Sequence, residues 1–134
     1  MGNLRNFQHA EHNREVYLYL CQKPEFCDWI ITTAFYSAIH YVRFRMLPFE
    51  VTYKTTKTVY SEFESLFNAL RKDNEGRHGF QLKWVGTHYS EIKFSYRRLH
   101  ELSNEARYIN YQFPSEIIPE IYTHLERIRI FCAS

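Results

Sequence analysis

Asp28-Trp-Ile-Ile-Thr-Thr-Ala-Phe-Tyr-Ser-Ala-Ile-His-Tyr-Val-Arg-Phe-Arg-Met-Leu47 is the stretch whose reading decides the fold. From Trp29 to Val42 it carries no formal charge beyond whatever proton His40 holds, so a helix there must turn most of its circumference toward protein. It reads as a central helix. Tyr36, His40 and Arg43 recur along it at spacings of four and three, which places three polar side chains on one face of an otherwise apolar cylinder.

Outward from this helix the pattern is helical in both directions. On the N-terminal side, residues 4–22 mix charge with Leu4, Phe7, Val16, Tyr17, Leu20 and Cys21, an amphipathic helix that ends before Pro24. His9 and His12 fall on its wet half and read as solvated residues. Pro24 and Glu25 open the central helix and Pro48 closes it. Residues 49–53 read as an extended connection, because Val51, Thr52 and Tyr53 are poor helix formers. Tyr53, Tyr60, Phe63, Leu66, Phe67 and Leu70 then return every three or four residues for the most part, and predict a third helix over 54–72. Asp73 to Phe80, with two glycines and dense polarity, reads as the longest exposed loop. A fourth helix is expected over 87–109, capped by Thr87, with a seam of Tyr89, Ile92, Tyr96, Leu99, Ser103 and Ala106. Ser115 caps a last helix whose buried stripe is Ile117, Ile121, Leu125 and Ile128. The expected fold is all-α, an antiparallel bundle of about five helices in a single domain over 1–134.

Composition agrees with that and narrows the function. At 134 residues one core suffices, and eleven Tyr with eleven Phe against four Gly and four Pro favour long helices joined by short loops. A net charge of +2 is too mild for a chain that coats nucleic acid, so any basic site must be local. The three cysteines, Cys21, Cys27 and Cys132, make an odd set without metal-ligand spacing and read as small buried hydrophobes of a reduced, cytoplasmic protein. The charge-free run is shorter than the ~20 apolar residues of a membrane span, so no membrane partner is expected. Neither a Gly-rich phosphate loop nor a nucleophile elbow is present, and no metal or cofactor is expected.

What remains is Arg, His and Tyr. Arg77 beside His78, Arg97 and Arg98 with His100, and Arg107-Tyr108 running to Tyr111 are the local basic and aromatic groupings. Guanidinium forks grip phosphate oxygens at two points and tyrosine rings stack on bases, a mixture suited to RNA or nucleotides. Arg97 and Arg98 have Glu101 and Glu105 at pairing distance along a helix, whereas Arg107 has no acid four residues away on either side and must find its partner elsewhere.

Asp28-Trp29, Ala34-Phe-Tyr-Ser-Ala-Ile-His-Tyr-Val42 and Tyr96-Arg-Arg-Leu-His-Glu-Leu-Ser-Asn-Glu-Ala-Arg-Tyr108 together resemble a prokaryotic branch of the HEPN (higher eukaryotes and prokaryotes nucleotide-binding) family, over nearly the whole chain. The resemblance implies a helical bundle that pairs into a homodimer and binds or cuts RNA, often in a defence or toxin–antitoxin setting. Nuclease members carry an Arg followed after four to six residues by a His, and cut without metal; here Arg71 to His78 and Arg5 to His12 have that form. Where this branch implies a Ser-His pair after the central helix, the chain has Lys54-Thr-Thr-Lys57. The expected site is therefore a cleft in which His40 and Arg107 would do any chemistry and Tyr36, Arg43, Arg98, Tyr108 and Tyr111 would hold substrate, with Arg71, Arg77 and His78 as secondary candidates. The competing expectation is a dimeric, non-catalytic module docking on a partner protein such as a nucleotidyltransferase.

Overall fold

The computed structural model describes residues 3–134 and is mostly helical, with six α-helices and one small sheet. Helix α1 (Leu4–Leu20) leads through one turn of 3-10 helix at Pro24–Phe26 into α2 (Cys27–Met46), the predicted central helix. Strands β1 (Phe49–Tyr53) and β2 (Thr56–Tyr60) follow, then α3 (Phe63–Leu70), α4 (Arg77–His88), α5 (Lys93–Tyr108) and α6 (Ile118–Ala133). Helix α2 packs against α1, α5 and α6, and α5 also packs on α6.

Between Ile30 and Val42 every residue of α2 except Thr33, Tyr36 and His40 is buried. Each fully buried Ile, Phe or Val there is worth about 1.5–3 kcal/mol of transfer free energy, which makes α2 the main stabilising element. Its polar side chains tie it to α1: Ser37 Oγ donates to the Ala10 carbonyl at 2.9 Å, the Tyr41 hydroxyl donates to Glu11, and the Asn3 amide donates to the carbonyls of Phe44 and Leu47 at the C-terminal end. On the far side, Arg14 of α1 meets Glu126 of α6 at 3.1 Å, and Arg129 braces the same carboxylate.

Four sequence expectations are corrected. The third helix predicted over 54–72 is instead a β-hairpin followed by the shorter α3. Thr56, Thr58 and Val59 are β-branched and pair across a two-residue turn at Lys54 and Thr55, in register Tyr53↔Thr56, Val51↔Thr58 and Glu50↔Val59. The helical spacing read from Tyr53 and Tyr60 actually joins residues on two antiparallel strands. Second, the predicted 73–80 loop ends early, since α4 begins at Arg77 and places Phe80 and Trp84 in the core. Third, Thr87 caps nothing: it lies inside α4, and the helix expected over 87–109 breaks at Tyr89 and restarts at Lys93 after a 3-10 turn. Its seam survives, with Ile92, Tyr96, Leu99, Ser103 and Ala106 all buried. Ser115 likewise caps nothing: it opens a 3-10 turn over Ser115–Ile117 without a side-chain cap bond, and α6 starts at Ile118. The bundle thus has six helices where about five were expected.

Cys27 and Cys132 are buried and Cys21 is half-buried, and all three are free thiols whose pKa burial raises. Among the described residues no helix is long and apolar enough to cross a membrane.

Candidate nucleotide-binding site

The outward line of α2 is longer than Tyr36, His40 and Arg43. Trp29 and Thr33 continue it toward the N-terminus at the same alternation of three and four, and none of the five is buried. Two recesses open along this line, each of about 310 Å³, and Tyr36 is the wall they share. Asp28, Trp29, Thr32, Ala106 and Arg107 complete the first; His9, Asn13, His40, Arg43 and His78 are among those completing the second.

Arg107 stands in the last turn of α5, where the helix dipole favours a cation. Its Nη1 donates to the Tyr36 hydroxyl at 3.3 Å, Nη2 to Asn104 Oδ1 at 3.2 Å and Nε to the Ser103 carbonyl at 3.3 Å. The guanidinium also lies 5.7 Å from the Tyr36 ring centre and 5.0 Å from that of Tyr108. Among the described residues no carboxylate pairs with it. The cation is therefore oriented by neutral partners and keeps its full charge for a ligand. Across the same recess Asp28, in the first turn of α2, has its backbone carbonyl taken by Thr32 Oγ1 at 2.8 Å, while its carboxylate has no hydrogen bond or ion pair among the described residues.

His40 is held differently. Its ring stacks on that of His9 at 3.7 Å, and Nδ1 meets Asn6 Oδ1 at 3.1 Å, so Nδ1 carries the proton and donates it to the amide oxygen. Burial, then the nearby His9 and Arg43, push its pKa down to about 3. It is neutral at physiological pH, poorly suited to give a proton and a weak base. His78, which lines the second recess with His40, is also near His100: their rings lie 5.8 and 5.3 Å from Phe35 and 6.2 Å from each other. Burial first, then Arg107, lowers the pKa of both, so both present neutral imidazole.

The remaining predicted residues divide. Tyr108, whose ring lies 5.0 Å from the Arg107 guanidinium, and Tyr111, three residues beyond it in the chain, are 76% and 68% exposed. Arg43 lines the second recess but is mostly occupied: it lies 3.7 Å over the Phe63 ring and donates to Gln81 Oε1 at 2.9 Å. Arg98 is not brought to the cluster. It lies nine residues before Arg107, about half a helical circumference away at ~100° per residue, and pairs with Glu120 of α6 at 2.7 Å rather than with Glu101 or Glu105. Arg77 is engaged by Glu64 through two bonds of 2.6 and 2.9 Å, and Arg71 lies 5.3 Å over Phe67. Arg5 and Glu62 line a small separate recess with Asn6 and His9.

The expected site did not include Asp28, Trp29 or His100, although His100 stood in the basic grouping with Arg97 and Arg98; His9 is exposed as expected and also stacks on His40. Trp29 had a visible signal, the continuation of the Tyr36 line by seven residues, and His100 had its basic neighbours; that Asp28 and His100 lie near Arg107 follows from chain packing. A second polar chain, Ser95 to His124 Nδ1 at 2.9 Å and His124 Nε2 to Glu120 at 3.0 Å, has the connectivity of a nucleophile, base and acid. Ser95 and His124 are only 3% and 4% exposed, and Phe94 lies edge-on to the His124 ring, so this chain ties α5 to α6 and meets no substrate. Among the described residues no group of three or more His, Cys, Asp or Glu side chains is placed to hold a metal ion. No family model, curated protein or solved structure matches the chain.

Proposed function

We propose that the chain binds single-stranded RNA or a nucleotide in the paired recesses along α2. The observation that carries this is Arg107: a guanidinium without a carboxylate partner among the described residues, fixed by Tyr36, Asn104 and Ser103 and bordered by exposed tyrosines. A cation so oriented takes phosphate oxygens, and Trp29, Tyr36, Tyr108 and Tyr111 offer rings for bases. The motif resemblance to HEPN proteins and the mostly helical fold support the same reading, and with it a homodimer serving in defence or a toxin–antitoxin pair.

The same groups compose a metal-independent ribonuclease. A neutral imidazole would accept the 2′-hydroxyl proton as O2′ bonds to phosphorus, Arg107 would stabilise the charge on the pentavalent phosphorus, and the P–O5′ bond would break, the leaving 5′-oxygen taking a proton from water or the imidazolium and a 2′,3′-cyclic phosphate remaining. His78 or His100 fits the first role better than His40, whose basicity burial has removed. Chelator-treated protein incubated with labelled single-stranded RNA and transfer RNA at low salt tests both levels. Retention of RNA by the wild type and its loss in Arg107→Ala supports binding; cleavage lost in His78→Ala or His100→Ala supports catalysis; no retention at low salt refutes the reading.

A second reading rests on Ile109, which is 81% exposed between Tyr108 and Tyr111. An aliphatic side chain adds little to a phosphate site but much to a protein interface, so this end of α5 suits docking on a partner protein. Salt separates the two: RNA affinity falls steeply with ionic strength, and an aromatic-centred contact is far less sensitive.

A further inference from the structure

The first recess holds two unsatisfied charges of opposite sign. Asp28 and Arg107 both line it, neither has an ion-pair partner among the described residues, and they are not bridged to each other, so more than 4.0 Å separates their charged atoms. Two such groups would close on one another if the surrounding walls allowed it. Trp29, 58% exposed and next to Asp28 in the chain, and Tyr36, against Arg107, supply flat apolar wall to the same recess, and about 310 Å³ is at the lower end of small-ligand sites. The ligand that satisfies all of this is flat and aromatic, offers hydrogen-bond donors to a carboxylate at one end and carries an anion at the other.

We propose that this recess is selective for guanine nucleotides, with Asp28 accepting the N1–H and N2–H of the base, Trp29 stacking on its face and Arg107 taking the phosphate. The assignment rests on the nucleotide-binding reading above and adds the identity of the base. An ionised carboxylate has only acceptors, on two oxygens side by side. Guanine is the one common base whose Watson–Crick edge presents two adjacent donors to match them. Adenine and cytosine offer a single amino donor next to a ring-nitrogen acceptor, which would face the carboxylate lone pairs, and uracil offers one N–H between two carbonyl oxygens. Thr32 cannot compensate for another base, because its hydroxyl proton is committed to the Asp28 carbonyl.

The test is calorimetric titration of the whole chain at low salt with the 5′-monophosphates of guanosine, inosine, adenosine, cytidine and uridine, and with glycine. A matched bidentate contact discriminates by about tenfold or more, so guanosine monophosphate binds at least about tenfold tighter than adenosine monophosphate. Inosine monophosphate, which lacks only the N2 amino group, falls between them. Asp28→Asn, a nearly isosteric change at a partly exposed position, abolishes the guanine preference, because its amide presents one donor beside one acceptor and so no longer matches two adjacent donors; circular dichroism checks the fold. The inosine comparison needs no variant and stands whatever Asp28→Asn does to folding. Equal binding of all five nucleotides overturns the guanine assignment and leaves the nucleotide site standing. Glycine bound in their place assigns the two charges to an ammonium and a carboxylate and overturns the guanine assignment, as does failure of every nucleotide to bind, and RNA retention at low salt then decides the wider reading separately.

Discussion

Acidification from pH 7 to pH 5 acts on His40 before it acts on the carboxylates. In the folded chain the ring is pressed on His9 with Nδ1 bound to Asn6, and its pKa is pushed down to about 3 from the ordinary 6.5. In the unfolded chain the ring takes a proton as pH falls below about 6.5, and in the folded chain it does so only near 3, so the unfolded state binds more protons throughout that window. Stability is therefore full above pH 6.5 and drains away as pH falls toward 3. At pH 5 the difference in proton uptake amounts to about 2 kcal/mol, and screening at this half-buried ring trims it toward about 1 kcal/mol. Burial lowers His78 and His100 in the same direction, so they add to the slope. The clean comparison is His40→Phe, which keeps a flat ring against His9 and has no proton to bind. Urea unfolding at pH 7 and pH 5, followed by tryptophan fluorescence, should show the wild type losing about 1–2 kcal/mol more than the variant across that interval. Equal losses would mean that His40 titrates normally and that the stacked pair is open to water.

Ser103→Ala should stabilise the fold by about 1 kcal/mol, because Oγ is fully buried without a hydrogen-bond partner among the described residues and Ala is the better helix former; thermal melting reads this, and a lower midpoint would show that the hydroxyl is satisfied. Lys54→Gly at the hairpin turn should stabilise β1–β2 by about 0.5–1 kcal/mol, since Lys54 sits at φ 56°, where a Cβ is strained; slower amide exchange across the hairpin checks it, and faster exchange contradicts it. Arg107→Ala should lower the slope of log affinity for RNA against log salt by about one, the value of a single phosphate contact, whereas Arg98→Ala should leave it unchanged because that guanidinium is spent on Glu120. A slope unchanged in Arg107→Ala would remove that residue from the phosphate path.

The chain's own order of residues determined the central helix and its buried faces, because an uncharged run of that length has only one way to satisfy both its backbone and its side chains. It likewise determined the stripes of α5 and α6 and the line Tyr36, His40, Arg43, all of which follow from a period of 3.6 residues within one element. Where local signals competed, tertiary pairing decided. Tyr53 and Tyr60 keep helical spacing, yet residues 49–60 form a hairpin, since β-branched side chains found partners across the turn. The site shows the same division. That Arg107 needed a partner was legible from the lack of acids at helical spacing, but that the partners would be the Tyr36 hydroxyl, Asn104 and a backbone carbonyl was settled by the packing of α5 on α2. Packing likewise set Asp28 and Arg107 in one recess and, with α1 against α2, half-buried His40 so that it stays neutral, because charge, distance and desolvation at a site depend on elements far apart in the chain.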